Sequence, residues 1–364
     1  MKGRERLLTA LDNRKPDHLP CQVHNWMSYY RNHYLGGKND YEAYEYFDMD
    51  PVIYTNPEYR YRDSDLSSWQ VKNMDMGTKD GIHTMKIIIT TPKGTLTAEK
   101  QSSEITSWLT EHFIKDQKDF ELWNTYLPMP VEVDWSPVIE VKKRLGDKGI
   151  ARGSYFDFGQ GSPWQSLAYM YGTEQLIMSA LDDPDWTHAA LSAMLEKKLK
   201  VIELGGKIEL DLVETGGGAG SSTVISPSIH RQFCLPYDQR QHKALRDHGT
   251  RVVYHLCGGF MPLLDMVVEN GANGMETMTP PEMGGDCILS ECTRRIGDRM
   301  FFIGGFDQNA GFESGNPELV REMVFKLHDD CPDGGYILCP SDHFFYGDPE
   351  NIKAFVQAAK ECVY

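Results

Sequence analysis

The stretch VVYHLCGG, residues 252–259, carries an imidazole and a thiol one residue apart at the end of a β-branched run. On an extended strand, residues i and i+2 project from the same face, so His255 and Cys257 would stand side by side. A neutral imidazole beside a thiolate suits a borderline-soft divalent cation such as zinc, which takes N and S donors. Gly258 and Gly259 let the backbone turn sharply just beyond the pair. Isolated His-x-Cys is a weak motif, because a buried strand end can carry the same two residues. Further donors must come from other strand ends. Cys339 in GGYILCPSDH, Asp342 just after it, and Glu214 in LDLVET before three glycines compete for the remaining coordination. Catalytic zinc keeps three protein ligands and one open position, so His255, Cys257, Cys339 and Glu214 are a reasonable expected ligand set.

Other glycine-rich stretches point elsewhere than to phosphates. ETGGGAGSS lacks the Lys-Ser/Thr of a P-loop and the spacing of a dinucleotide fingerprint, and GGFDQNAG matches neither. No G-x-S-x-G elbow of a serine hydrolase occurs.

The elements that would position these residues alternate. GIARGSYF, IELDLVET, TRVVYHLC, GANGMETM, RMFFIGGF and GGYILCPS read as strands. Helical stretches between and after them open with proline near the first turn, as in SPSIHRQFCLPYDQRQHKAL, NPELVREMVFKLHDD and DPENIKAFVQAAKECV. Such alternation predicts a parallel sheet. Glu214, His255, Cys257, Glu276, Asp307 and Asp342 all fall at or just beyond strand C-termini. A closed (β/α)8 TIM barrel gathers residues from many strand ends, so it is the expected fold. Residues 1–364 are expected to form one domain, with 1–125 a decorated N-terminal portion. That portion opens with a short amphipathic helix carrying Leu7, Leu8 and Leu11. It also holds an antiparallel hairpin turning at Pro92-Lys93-Gly94.

Bulk properties narrow the partners. A formal charge of −16 over 364 residues argues against nucleic acid and against an anionic membrane surface. No run of eighteen apolar residues occurs, and the charged N-terminus has no signal-peptide core. The eight cysteines form no C-x-x-C pair or dense framework, which suits reduced thiols and a cytoplasmic location. A homo-oligomer is compatible with all of this.

Three segments resemble the uroporphyrinogen decarboxylase superfamily: RERLLTALDNRKPDHLP, YHLCGGFMPLLDMVVENGANGMET and GGYILCPSDHFFYGDPENIKAFVQAAKE. The resemblance implies a TIM barrel and one of two chemistries. The metal-free decarboxylase branch uses an arginine-rich element near the N-terminus, and VHNWMSYYRN stands here in its stead. The other branch comprises zinc-dependent, corrinoid-linked methyltransferases, whose His-x-Cys signature falls on His255 and Cys257. In the thiol-methylating members the last cysteine follows Pro-Gly, where this chain has Asp342; Cys339 instead precedes Pro340.

What the resemblance implies is therefore a zinc enzyme moving a methyl group from a small-molecule donor, favoured as an aromatic methyl ether, to the Co(I) corrinoid of a partner protein. A methyl-corrinoid:thiol methyltransferase and a metal-free decarboxylase are the alternatives. Trp26, Tyr29 and Phe156 are the residues expected to wall the substrate. Glu276, Tyr155 and His343 are expected to handle protons near the leaving group. Tyr155 and Phe156 are adjacent, so both could face the site only if their strand had already ended.

Overall fold

A computed structural model describes residues 1–156, 158 and 161–364. All six strand-like runs named above form strands, preceded by a shorter one. These are β1 (Val52–Tyr54), β2 (Ile150–Gly153), β3 (Leu212–Gly216), β4 (Arg251–His255), β5 (Gly274–Thr277), β6 (Phe301–Phe306) and β7 (Tyr336–Pro340). They pair in chain order, and every pairing is parallel. The sheet curls on itself. Val52 of the first strand and Ile337 and Cys339 of the last share one apolar cluster with Ile150, Leu212, Val253, Phe301 and Ile303. Helix α1 (Gly3–Leu11) plugs the N-terminal end of the strands with Leu7, Ala10 and Leu11, which belong to the same cluster.

The expected closed barrel of eight strands is corrected to a curled sheet of seven. The eighth position is held only by a bridge, Cys21 alongside Leu338. There Leu338 N–H donates to Pro20 O and Gln22 N–H to Leu338 O, both at 2.9 Å. Pro20 has no N–H to extend that ladder. The chain then leaves the sheet to bury Trp26 against Phe47, Tyr44 and Phe344. Among the described residues no ladder joins this segment to β1.

The crossover helices start as their residues dictate. Asn316 caps the helix Pro317–Asp329 through Leu319 N–H, and Asp348 caps Pro349–Glu361 through Glu350 N–H, with proline at N1 in both. The stretch after β3 is helical from Pro227 to Asp247 but loosens into a π-turn at His230–Cys234. Pro236 follows that turn and cannot donate to a carbonyl one turn back. The hairpin lies at Ile82–Thr91 and Gly94–Ser102 and is widened by Gln70–Lys79 and Ser107–Glu111 to four antiparallel strands. It buries Ile89 and Leu96 against Phe120, Trp123 and Trp164. No described helix is long and apolar enough to cross a membrane.

Ion pairs tie the plug to the sheet, Arg251 to Asp12 at 2.6 Å and Arg4 to Asp211. Arg4 donates to both oxygens of Asp211, at 2.9 and 2.6 Å, and Asp211 also accepts from Ala151 N–H at 3.0 Å. Burial raises the Asp211 pKa, but these bonds outweigh it and hold the carboxyl below its ordinary value of 3.8. A lowered carboxyl pKa contributes stability that is present above the unfolded value and lost as pH falls below it. Asp211→Asn is therefore expected to lower stability by about 1.5–3 kcal/mol at neutral pH. The deficit should shrink as pH drops below 4, and urea unfolding across that range measures it.

Candidate metal centre

The strands place one polar layer directly above one apolar layer. Val52, Ile150, Leu212 and Val253 face the interior near the plug. Two residues further along the same strands stand Tyr54, Arg152, Glu214 and His255, and Glu276 stands two beyond Gly274 on β5. The period of two keeps all five on the inner face. His255 and Glu276 are register partners on adjacent strands. His24 joins them from the segment that follows Cys21.

One atom from each of His24, Glu214, His255 and Glu276 lies within 4.8 Å of the others. His255 Nδ1 donates to Glu276 Oε1 at 2.9 Å and stands 3.5 Å from Glu214 Oε1. The His24 ring nitrogens are each 3.9 Å from a carboxylate, Nε2 from Glu214 Oε2 and Nδ1 from Glu276 Oε2. Arg152, wholly buried, donates to Glu214 Oε2 at 2.8 Å and to Glu276 Oε1. Tyr54 donates to Glu214, and its ring lies 4.9 Å from the Arg152 guanidinium carbon.

Electrostatics prepares this cluster for a cation. Burial drives the His24 pKa down to about 4, so at neutral pH both its nitrogens present a neutral imidazole. Burial opposes the ionised form of Glu276, but Arg152, His24 and His255 overcome it and hold the carboxyl well below the usual range. Glu214 is also lowered, mainly because Arg152 offsets its burial. Burial pushes His255 down, and its bonds to Cys257 and Glu276 with the two carboxylate charges push it well up. Arg152 and a protonated His255 thus balance two ionised carboxylates, and a bound cation would take the place of the His255 proton. Glu276 Oε2 is buried with no hydrogen-bond partner. Neutral imidazole, ionised carboxylate and an orphaned buried oxygen are what a divalent cation requires, and the donor set fits zinc. The bond from His255 to Glu276 is the kind that fixes a metal-binding imidazole while leaving its other nitrogen free.

The other expected site residues are distributed differently. Cys257, two residues beyond His255, sits under the glycine loop after β3, where a Cβ on Gly218 would come within 2.7 Å of its Sγ, and it is not in the four-residue cluster. Cys339, 1% exposed, lies in the apolar layer and is not in the four-residue cluster. Cys339→Ala is accordingly expected to leave metal content unchanged while costing about 1 kcal/mol of stability, read by metal analysis and unfolding. The His343 ring packs on His24, with centroids 4.7 Å apart, and its Nδ1 is buried without a partner. Tyr155 turns away from the cluster: its hydroxyl donates to Val201 O at 2.8 Å and its ring stacks on Trp135. β2 ends at Gly153, and both Tyr155 and Phe156 have positive φ, of 41° and 47°. Phe156 packs on Tyr59 and Phe158. Trp26 is buried among aromatic neighbours, and Tyr29 stacks on His33 and meets Tyr346 edge-on.

The uroporphyrinogen decarboxylase (URO-D) family model matches residues 112–362. The chain belongs to this family. Among curated relatives of this URO-D member is a methylated-thiol–coenzyme M methyltransferase of Methanosarcina mazei, 25% identical over 205 residues. That alignment covers 55% of this chain and 51% of the relative. A uroporphyrinogen decarboxylase of Chromohalobacter salexigens is 27% identical over 221 residues, covering 55% of this chain and 57% of the relative. The chain spans about half the length of the curated relatives it matches. A solved methyltransferase from Methanosarcina mazei shares the fold, with a TM-score of 0.63, 15% identity and 99% coverage of both chains. Three residues of the cluster fall outside the expected site residues: Tyr54, Arg152 and His24. Arg152 carries the plainest signal, a lone charge two residues after Ile150 in an otherwise apolar strand.

Proposed function

We propose that this URO-D family member is a zinc-dependent methyltransferase that passes a methyl group from a small methylated substrate to the Co(I) corrinoid of a partner protein. The observation that carries the reading is the buried imidazole–carboxylate cluster at the C-terminal ends of β3, β4 and β5, beside Cys257. A decarboxylase that needs no metal has no use for it.

His255, His24, Glu214 and Cys257 would hold the metal. When bound, zinc supplies Lewis-acid polarisation of the departing heteroatom, which an ether or thioether needs because its leaving group is a strong base. Glu276 holds the His255 ring by its Nδ1 proton. Arg152 balances part of the carboxylate charge and keeps Glu214 and Glu276 ionised. His343 packs on His24 with an unpartnered Nδ1 and is the residue we assign to proton handling at the leaving atom; burial lowers its pKa, so the ring rests neutral.

An aromatic methyl ether is the donor we favour, on the placement of Cys339 before Pro340 rather than after a Pro-Gly. The second reading is a methylated thiol, favoured by the name of the Methanosarcina relative. Trp26, Tyr29 and Phe156 remain the residues we propose to wall the substrate, and the donor is decided by a screen. The test is metal analysis of the purified protein, followed by demethylation of methoxyaromatic and methylthiol donors with a reduced corrinoid protein. About one zinc per chain and corrinoid-dependent turnover are expected. Protein that neither contains zinc nor binds it when added would overturn the reading.

A further inference from the structure

Strand β1 sends one side chain to the metal centre, and the chemistry proposed above gives it no task. Tyr54 is the register partner of Arg152 on the neighbouring strand, and both stand on the inner face of the sheet. Its hydroxyl donates to Glu214 Oε2, the same oxygen that accepts from Arg152 Nη2 at 2.8 Å. The phenol oxygen also stands 3.5 Å from His24 Nε2. The ring is held in turn, 4.9 Å from the Arg152 guanidinium carbon and with its centroid 5.8 Å from that of His24. A hydroxyl has one proton to give and lone pairs with which to receive. Giving the proton to Glu214 leaves the oxygen able to accept from His24, so one group touches two of the expected ligands.

The two oxygens of Glu214 are thereby made unequal. Oε2 accepts two hydrogen bonds, one from Tyr54 and one from Arg152, which use the lone pairs a carboxylate oxygen offers. Oε1 lies 3.5 Å from His255 Nδ1, too far for a strong charge-assisted bond. A carboxylate held in this way offers a cation one oxygen. A carboxylate released from it can turn both oxygens to the cation and fill one more coordination position.

We infer that Tyr54 is a positioning residue which, by holding Glu214 Oε2, presents Oε1 alone to the metal and keeps one coordination position open for the heteroatom of the methyl donor. The inference rests on the metal reading above, in which His24, His255, Glu214 and Cys257 supply the donors. Lewis-acid polarisation needs that open position, because the departing atom must bind there. The hydroxyl carries the role, since stacking of the ring on Arg152 survives its removal.

The test uses the full chain loaded with cobalt(II) in place of zinc, with ethanethiol as a small sulfur ligand for the open position. The visible absorption of cobalt(II) is strong at four-coordination and weakens at five, so it reads the ligand count without turnover. The wild type should give the four-coordinate spectrum. Tyr54→Phe should give the five-coordinate spectrum before any thiol is added. It should also bind ethanethiol about 10–100-fold more weakly than the wild type, the range for an orienting partner of a ligand. A hydroxyl that only supports the fold would leave spectrum and thiol affinity as in the wild type, and that result overturns the inference. A five-coordinate spectrum in the thiol-free wild type overturns it as well, whether or not the variant folds. A wild-type chain that takes up neither cobalt nor zinc overturns the metal reading and this inference together, an outcome distinct from the other two.

Discussion

His255→Ala is expected to empty the centre and to lower methyl transfer by at least ~10³-fold. Structural zinc sites bind with roughly 10–16 kcal/mol of apparent free energy, so one ligand among three or four is worth about 4 kcal/mol, or three factors of ten. His24→Ala should fall in the same range, although His24 is no part of the His-x-Cys signature, because its neutral ring stands 3.9 Å from both carboxylates. Glu276→Gln keeps the shape of the side chain but loses the charge that orients His255, and an orienting partner of a ligand is worth about 10–100-fold in affinity. The order of the three is the informative quantity. Zinc affinity by competition with a chromophoric chelator should place His255→Ala and His24→Ala together, with Glu276→Gln above them. Wild-type affinity in His24→Ala would remove that residue from the centre and return the coordination to the thiols. Equal, total loss in Glu276→Gln would make the carboxylate a direct ligand.

How much of this could be read beforehand differs residue by residue. Glu214, His255 and Glu276 were legible because each is a polar residue ending an apolar run, and a parallel sheet collects such ends at one mouth. Arg152 obeyed the same rule yet drew no notice, since a charge inside a strand reads as solvated unless its buried partners are known. Those partners lie 62 and 124 residues away. Tyr54 sits on a three-residue strand, too short for any periodicity to show. His24 belongs to no strand at all, and its place follows from the Cys21 bridge and the turn that buries Trp26, which are tertiary facts. The setting of the aromatics is likewise a tertiary fact. Side-chain size marks Trp26 and Phe156 as fit to wall a ring, but the positive φ at Tyr155 and Phe156 rotates that stretch away from the strand direction. The absent eighth strand is similar: alternation counts crossovers, whereas closure depends on hydrogen bonds that a short segment with Pro20 does not offer.

The largest stability effect is expected at Arg152. Arg152→Met removes the guanidinium that binds both Glu214 and Glu276, at a position with no solvent exposure. Stripping one partner from a buried ion pair costs about 3–5 kcal/mol, because the remaining charge is left in a poorly solvating interior. Here two carboxylates are left, facing each other, which puts the metal-free variant at the upper end of that range. The pH dependence has a definite sign. In the wild type, Glu276 is held below its ordinary 4.5, so its contribution is present above that value and is lost as pH falls. Without Arg152 the carboxylates favour their protonated forms, so the deficit of the variant should be greatest at neutral pH and should narrow below pH 4.5. Zinc separates this account from mere loss of packing. A divalent cation seated between His24, His255 and Glu214 supplies the charge that arginine supplied, so saturating zinc should restore Arg152→Met by more than it stabilises the wild type. A packing defect would be indifferent to the metal, and Arg152→Lys, which keeps a charge but not the fork, should fall between the two. Urea unfolding of all three chains with and without zinc reads every term. If Arg152→Met loses as much stability with zinc as without it, the carboxylates are not facing a cation site.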